Sequence, residues 1–82
     1  MKIIKTKFKD LLIIKKSSFE DNRGSFKEII SEKHIKKKFI FDYISISKKN
    51  VLRGLHIQTS QPQGKLITVF QGKIFDVALD LR

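Results

Sequence analysis

Gly72-Lys73-Ile74-Phe75-Asp76-Val77-Ala78-Leu79-Asp80-Leu81-Arg82 decides the fold class. Alternate residues of a strand point to opposite faces. Phe75, Val77, Leu79 and Leu81 therefore share one face, and Ile74, Asp76, Ala78 and Asp80 share the other. One face is wholly apolar and the other carries two carboxylates. This period of two predicts a strand lying between a hydrophobic core and a polar cavity or surface. Gln71-Gly72-Lys73, just before it, reads as a tight turn.

Reading back towards the N-terminus, residues 65–70, 51–58 and 39–47 carry the β-branched and aromatic residues of further strands. The polar stretch Thr59-Ser60-Gln61-Pro62-Gln63-Gly64 is a loop, and Ser47-Lys48-Lys49-Asn50 is a turn. Residues 11–14 form a short apolar run with strand character. Asp21-Asn22-Arg23-Gly24, between Phe19 and Phe26, signals a hairpin-like reversal. Ser31-Glu32-Lys33-His34-Ile35-Lys36-Lys37-Lys38 is the one short-helix candidate. Ser31 suits its N-cap and the lysines suit the negative end of its dipole. Many short strands separated by turns predict a mostly β chain of sandwich or barrel type with one short helix. The last strand leaves its apolar face uncovered, and an antiparallel sandwich needs both sheets. The sequence is therefore expected to be a fragment, or to complete itself by association.

The 82 residues allow at most one domain. They contain no cysteine, which excludes disulfide staples and thiolate chemistry. No apolar run reaches membrane-spanning length. Lysines interrupt the apolar residues of Met1-Lys2-Ile3-Ile4-Lys5, so no signal-peptide core is present there. These features fit a cytoplasmic location. The net charge is +10, from 18 basic and 8 acidic residues. Fifteen of the basic residues are Lys and 13 residues are Ile, a composition that an AT-biased genome writes. The lysines read first as a solvated surface. A small basic nucleic-acid-binding β domain is a rival supported only by charge and aromatic content. The three Arg, at 23, 53 and 82, each sit in a Gly- or Asp-containing cluster, and only Arg offers a planar fork for carboxylate or phosphate.

Two clusters carry the chemistry. In Val51-Leu52-Arg53-Gly54-Leu55-His56-Ile57-Gln58, a regular strand would put Gly54, His56 and Gln58 on one face. Glycine leaves room beside the imidazole, the side chain best matched to proton transfer near neutral pH. A lone strand histidine is more often a hydrogen-bonded core residue; the Arg, Gly and Gln around it favour a site. The second cluster is Gln63-Gly64-Lys65-Leu66 with the final strand. Metal-binding cupins pair two histidines two residues apart, and Gln58 stands at that place here. His34 lies in the helix candidate. No ligand set with zinc- or iron-like spacing exists, so no metal is expected.

RGLHxQ, QGKL and G-x-x-F-D-V-A-x-D-x-R, in that order, resemble the dTDP-4-dehydrorhamnose 3,5-epimerase family. Phe19-Glu20-Asp21-Asn22-Arg23-Gly24-Ser25-Phe26-Lys27-Glu28 is similar to that family's F-x-D-x-R-G-x-F-x-E segment, and Lys48-Lys49-Asn50 leads into the base as the family's run does. The resemblance covers the whole chain and the N-terminal half of a family member. It implies a single partial domain over residues 1–82, the N-terminal part of a cupin-type jelly-roll sandwich. The implied activity is epimerisation of a dTDP-4-keto-6-deoxy sugar in dTDP-rhamnose and lipopolysaccharide biosynthesis, by a cofactor-free homodimer that needs neither nucleic acid nor membrane. The alternative is a truncated, non-catalytic cupin that binds a nucleotide sugar or pairs with another subunit.

By the same resemblance, His56 is the general base that takes protons from the carbons flanking the C4 ketone. Lys65 stabilises the enolate oxygen and Arg53 contacts substrate. Arg23, Phe26 and Glu28 help bind the nucleotide. Elementary chemistry agrees: a fixed ammonium stabilises a developing oxyanion, and Arg forks suit a diphosphate. Phe26 either stacks on a flat base or packs in a core. There are two departures from the family. Its Q-x-N-x-S strand reads Phe41-Asp42-Tyr43-Ile44-Ser45 here, so aromatics replace both amides. Its tyrosine acid, and the aspartate that orients the base, have no match; Tyr43, the single tyrosine, falls elsewhere.

Overall fold

The computed structural model describes residues 1–82 as two units, Met1–Ser45 and Ile46–Arg82. In the first, β1 (Lys2–Lys5) pairs antiparallel with β2 (Leu12–Lys15), placing Ile3 opposite Ile14 and Ile4 opposite Ile13. The link between them is held by a backbone bond from the Leu11 N–H to the Phe8 carbonyl at 3.2 Å and by the Thr6 hydroxyl. Thr6 Oγ1 accepts from the Phe8 N–H at 3.1 Å and contacts the Phe8 and Leu11 carbonyl oxygens at 3.1 and 2.7 Å. A threonine that bonds the backbone two residues on replaces a turn's own hydrogen bond. The β2 strand matches the apolar run at residues 11–14. Lysines at both ends of Lys2-Ile3-Ile4-Lys5 hid β1 from a reading by periodicity.

The predicted reversal is a hairpin. β3 (Ser18–Asp21) and β4 (Gly24–Lys27) pair antiparallel across a loop of Asn22 and Arg23, with Phe19 opposite Phe26 and Asp21 opposite Gly24. Neither loop residue has a positive φ; the left-handed-side angle falls on Gly24, the first residue of β4, at φ +137°, where nothing lies within 4 Å of where a Cβ would stand. The constraint there is torsional rather than steric crowding by neighbours.

The helix α1 spans only Glu32–Ile35. Ser31 stands at its N-cap in extended conformation, and its carbonyl oxygen accepts from the His34 and Ile35 N–H groups at 3.1 and 3.0 Å. Its hydroxyl makes no capping bond, which corrects the expected cap. The helix stops at Lys36, whose backbone is left-handed (φ 57°, ψ 35°) and whose N–H bonds the Glu32 carbonyl at 2.8 Å. Continuing through Lys37 and Lys38 would stack like charges on a helix too short to stabilise itself.

The second unit contains the expected reversals but no ladder. Val51 N–H reaches the Lys48 carbonyl at 3.4 Å, with Asn50 at φ 66°, and the chain bends again at Gln61 (φ 53°) and Gly72 (φ 85°). Residues 51–58, 65–70 and 74–81, like 39–47 before them, are outside every strand pair, contrary to the expectation from their patterning. Alternation selects the face a side chain occupies; the ladder itself must come from a neighbouring backbone. Here the only ladders are two separate two-stranded sheets.

The chain is thus β-rich with one short helix, and no side chain is fully buried in either unit. It exposes 8921 Å². A compact monomer of this mass would expose about 5,100 Å². Phe75 is 94 % exposed, and Val77, Leu79 and Leu81 of the same apolar face are exposed as well. No helix is long and apolar enough to cross a membrane.

Two-stranded pairs without a covering layer are marginal. Gly24→Val should therefore abolish the β3–β4 hairpin, because the strain at φ +137° costs about 1–3 kcal/mol. The Phe19–Phe26 cross-strand NOE reads this directly. A stronger NOE in the valine variant, as β-propensity alone would give, would contradict it.

Candidate functional site

The β3–β4 hairpin presents the nucleotide-side candidates. Phe26 shares a face with Phe19 and is 71 % exposed, so it is not packed in a core in this chain. Arg23, in the loop, is held by its neighbour two residues back. Asp21 Oδ2 accepts from Arg23 Nη2 at 2.6 Å and from Nε at 3.2 Å, while Oδ1 accepts from the Arg23 backbone N–H at 2.9 Å. These bonds hold the Asp21 carboxyl below the usual carboxylate value and raise the Arg23 guanidinium. The Nε–Nη2 edge of the guanidinium is therefore held by one carboxylate.

Glu28 follows β4 directly and lines a groove of about 210 Å³ with Met1, Lys16, Ser17, Phe19 and His34. His34 Nδ1 lies 4.0 Å from Glu28 Oε1, an ion pair only when the imidazole carries a proton. The Met1 ammonium donates to Ser17 Oγ at 3.3 Å. Burial, and then repulsion from Lys27, lowers the Lys16 ammonium. His34, in α1 as the sequence placed it, is exposed and approaches Glu28 across the groove.

The second unit holds the base-side candidates. Arg53 donates from Nε to Ser47 Oγ at 2.7 Å and from Nη2 to the Ile46 carbonyl at 3.0 Å, closing the Ser47–Asn50 turn from outside. Gly54 has φ +115°, and a Cβ built there would lie 4.0 Å from His56 Nδ1. That is ordinary contact, so the demand for glycine at this position comes from the backbone angle. His56 and Lys65 are both exposed, and no hydrogen bond joins them to each other or to a neighbour. The structure therefore groups Arg53 with the turn before it, and brings neither His56 nor Lys65 to a partner. Nowhere do three His, Asp or Glu side chains gather in a way that would hold a metal ion.

One feature escaped the sequence reading. The lock at Asp21-Asn22-Arg23 recurs at Asp80-Leu81-Arg82. Asp80 Oδ1 accepts from the Arg82 backbone N–H at 2.9 Å and from Nε at 3.0 Å, and Oδ2 accepts from Nη2 at 3.1 Å. The hydrogen bonds from Arg82 lower the Asp80 carboxyl. The signal was a twice-written Asp-x-Arg, in which an aspartate reaches the backbone two residues on.

Two antiparallel strand pairs and one short helix define a β-rich chain with an exposed imidazole at His56 and three exposed arginines. The chain belongs to the dTDP-4-dehydrorhamnose 3,5-epimerase family, whose sequence model matches residues 5–82. A relative from Methanothermobacter thermautotrophicus, named dTDP-4-dehydrorhamnose 3,5-epimerase, is 44 % identical over 86 residues, covering 99 % of this chain and 46 % of the relative. The Salmonella typhimurium protein of the same name is 44 % identical over 89 residues, covering 100 % of this chain and 49 % of its own length. For the Neisseria gonorrhoeae protein the values are 42 % over 87 residues, 100 % and 26 %. The chain spans about half or less of the length of these relatives. No solved structure gives a significant match.

The Asp21 lock makes a pH-dependent prediction. A carboxyl held below its ordinary value of 3.8 contributes to the hairpin above that value, and the contribution is lost as pH falls through the lower folded value. The Asp21 carboxyl resonance should titrate with a midpoint below 3.8. Asp21→Asn should speed solvent exchange of the Arg23 Nε proton. A midpoint at or above the ordinary value would contradict the lock.

Proposed function

We propose that the chain carries the base-bearing part of an epimerase acting on a dTDP-4-keto-6-deoxy sugar. Family membership over residues 5–82 carries this reading. Of the chemistry-bearing positions, Arg53, His56 and Lys65 fall where the family's substrate contact, base and enolate-stabilising lysine fall. The surrounding domain is the N-terminal part of a jelly-roll cupin. The working enzyme is a cytoplasmic homodimer that uses no cofactor or metal and serves dTDP-rhamnose biosynthesis.

The reaction runs as follows. The His56 imidazole removes a proton from a carbon beside the C4 ketone, and the electron pair of the broken C–H bond moves onto the ketone oxygen. The Lys65 ammonium stabilises that enolate charge more strongly in a site shielded from water. A proton returned to the other face of the carbon inverts it. Arg23, Phe26 and Glu28 help hold the nucleotide. None of these residues matches the family's tyrosine acid, nor the aspartate that would fix the tautomer of His56. Proton removal without inversion is accordingly the most that the isolated chain performs.

The second reading is a non-catalytic piece that binds nucleotide sugar or pairs with another subunit. Its support is the exposed apolar face of Phe75, Val77, Leu79 and Leu81. Deuterium exchange separates the two. Co-expressed with the part of the Methanothermobacter relative that it does not match, the chain should catalyse exchange of solvent deuterium beside the ketone of dTDP-4-keto-6-deoxyglucose. His56→Ala should lower that rate by about 10²–10⁴-fold, the usual contribution of a general base. Exchange undiminished in the alanine variant would show that another group is the base. A stable assembly with no exchange would favour the non-catalytic reading.

A further inference from the structure

Phe41 and Tyr43 are the one ring pair in the molecule. Their centroids are 6.0 Å apart and their planes 23° from parallel, and the side chains are 60 % and 72 % exposed. Two residues apart on extended chain, they stand on the same side of the backbone. They replace the Gln and Asn of the family pattern. An amide reads a ligand by fixed donors and acceptors, and so rejects analogues that lack the matching edge. A ring face reads only a flat or apolar surface, and stacks on any base. Lys36, Lys37 and Lys38, just before the pair, are all exposed and supply positive charge for a polyanionic ligand.

We propose that Phe41 and Tyr43 form a stacking ledge for the base of a nucleoside diphosphate sugar, in place of hydrogen-bonded recognition by amides. The proposal rests on the functional reading above for the class of ligand. It goes further in making this chain tolerant of the base: purine and pyrimidine diphosphates bind with similar affinity. Tyr43 contributes its face, and its hydroxyl is dispensable.

Because Tyr43 is the only tyrosine, its ring protons report on this place alone. The 82-residue chain is titrated with dTDP, with GDP and with inorganic diphosphate. Both nucleotides should move the Tyr43 ring protons upfield and to saturation, with dissociation constants within about threefold of each other, as expected for stacking. Inorganic diphosphate should leave the ring unmoved. Phe41→Leu keeps apolar bulk but removes the ring, and should weaken dTDP binding about tenfold; Tyr43→Phe should leave it unchanged. The Phe19–Phe26 NOE shows that each variant keeps the hairpin. The ledge is refuted by an unmoved Tyr43 ring, by full affinity in Phe41→Leu, by an equal shift with diphosphate, or by more than tenfold exclusion of GDP. Deuterium exchange at the sugar reads His56 and not Tyr43, so the ledge and the epimerase reading fail separately.

Discussion

A strand persists only where a second backbone accepts its N–H groups and another layer covers its apolar face. That constraint governs this molecule. Where the partner lies close in sequence, the ladder forms: β1 with β2, and β3 with β4 across two residues. In residues 46–82 the strand-patterned segments form no ladder, although only the turn at 71–73 separates residues 65–70 from 74–81. The exposed area of 8921 Å² is the hydrophobic counterpart of the same fact. Apolar burial is the main favourable term in folding, so a chain that buries no side chain draws its local order from turns and short-range polar bonds.

Those local bonds also arrange the functional groups. Asp21 and Asp80 each clamp the arginine two residues on, and the Ser47 hydroxyl and Ile46 carbonyl hold Arg53. All three arginines thus have a protein partner before any ligand arrives. Exposed ion pairs of this kind add little to stability. Their effect is on direction: a guanidinium tied at two nitrogens keeps its remaining N–H groups on one heading. His56 and Lys65 have no such partner.

What the sequence disclosed follows the same division. The Asp21–Gly24 reversal was legible because the Asp-Asn-Arg-Gly cluster marks a turn, and Gly24 takes the positive angle where β4 begins. The turns at residues 47–50 and 71–73 were legible for similar reasons. β1 was hidden by its flanking lysines. The helix came out shorter than residues 31–38 because Lys36 takes a left-handed angle that no propensity scale marks. The later strands were legible as faces but not as ladders, since alternation carries no information about which backbone lies alongside. Order and spacing of Arg53, His56 and Lys65 were plain from the motifs. Their geometry was not, because it depends on packing that these residues do not create among themselves. The Asp-x-Arg locks and the stacked Phe41–Tyr43 pair were visible as letters only; their contacts needed coordinates.

The central claim is that order in this chain is confined to the β1–β2 and β3–β4 ladders and the turn of α1. Residue-resolved amide hydrogen exchange on the 82-residue chain tests it most directly. Slowed exchange should be confined to the β1–β2 and β3–β4 ladders and the turn of α1, with residues 51–58, 65–70 and 74–81 exchanging at the rates of an unprotected backbone. Strong protection running through those three segments in the isolated chain would contradict the account, because it would reveal ladders and a core that the chain builds unaided.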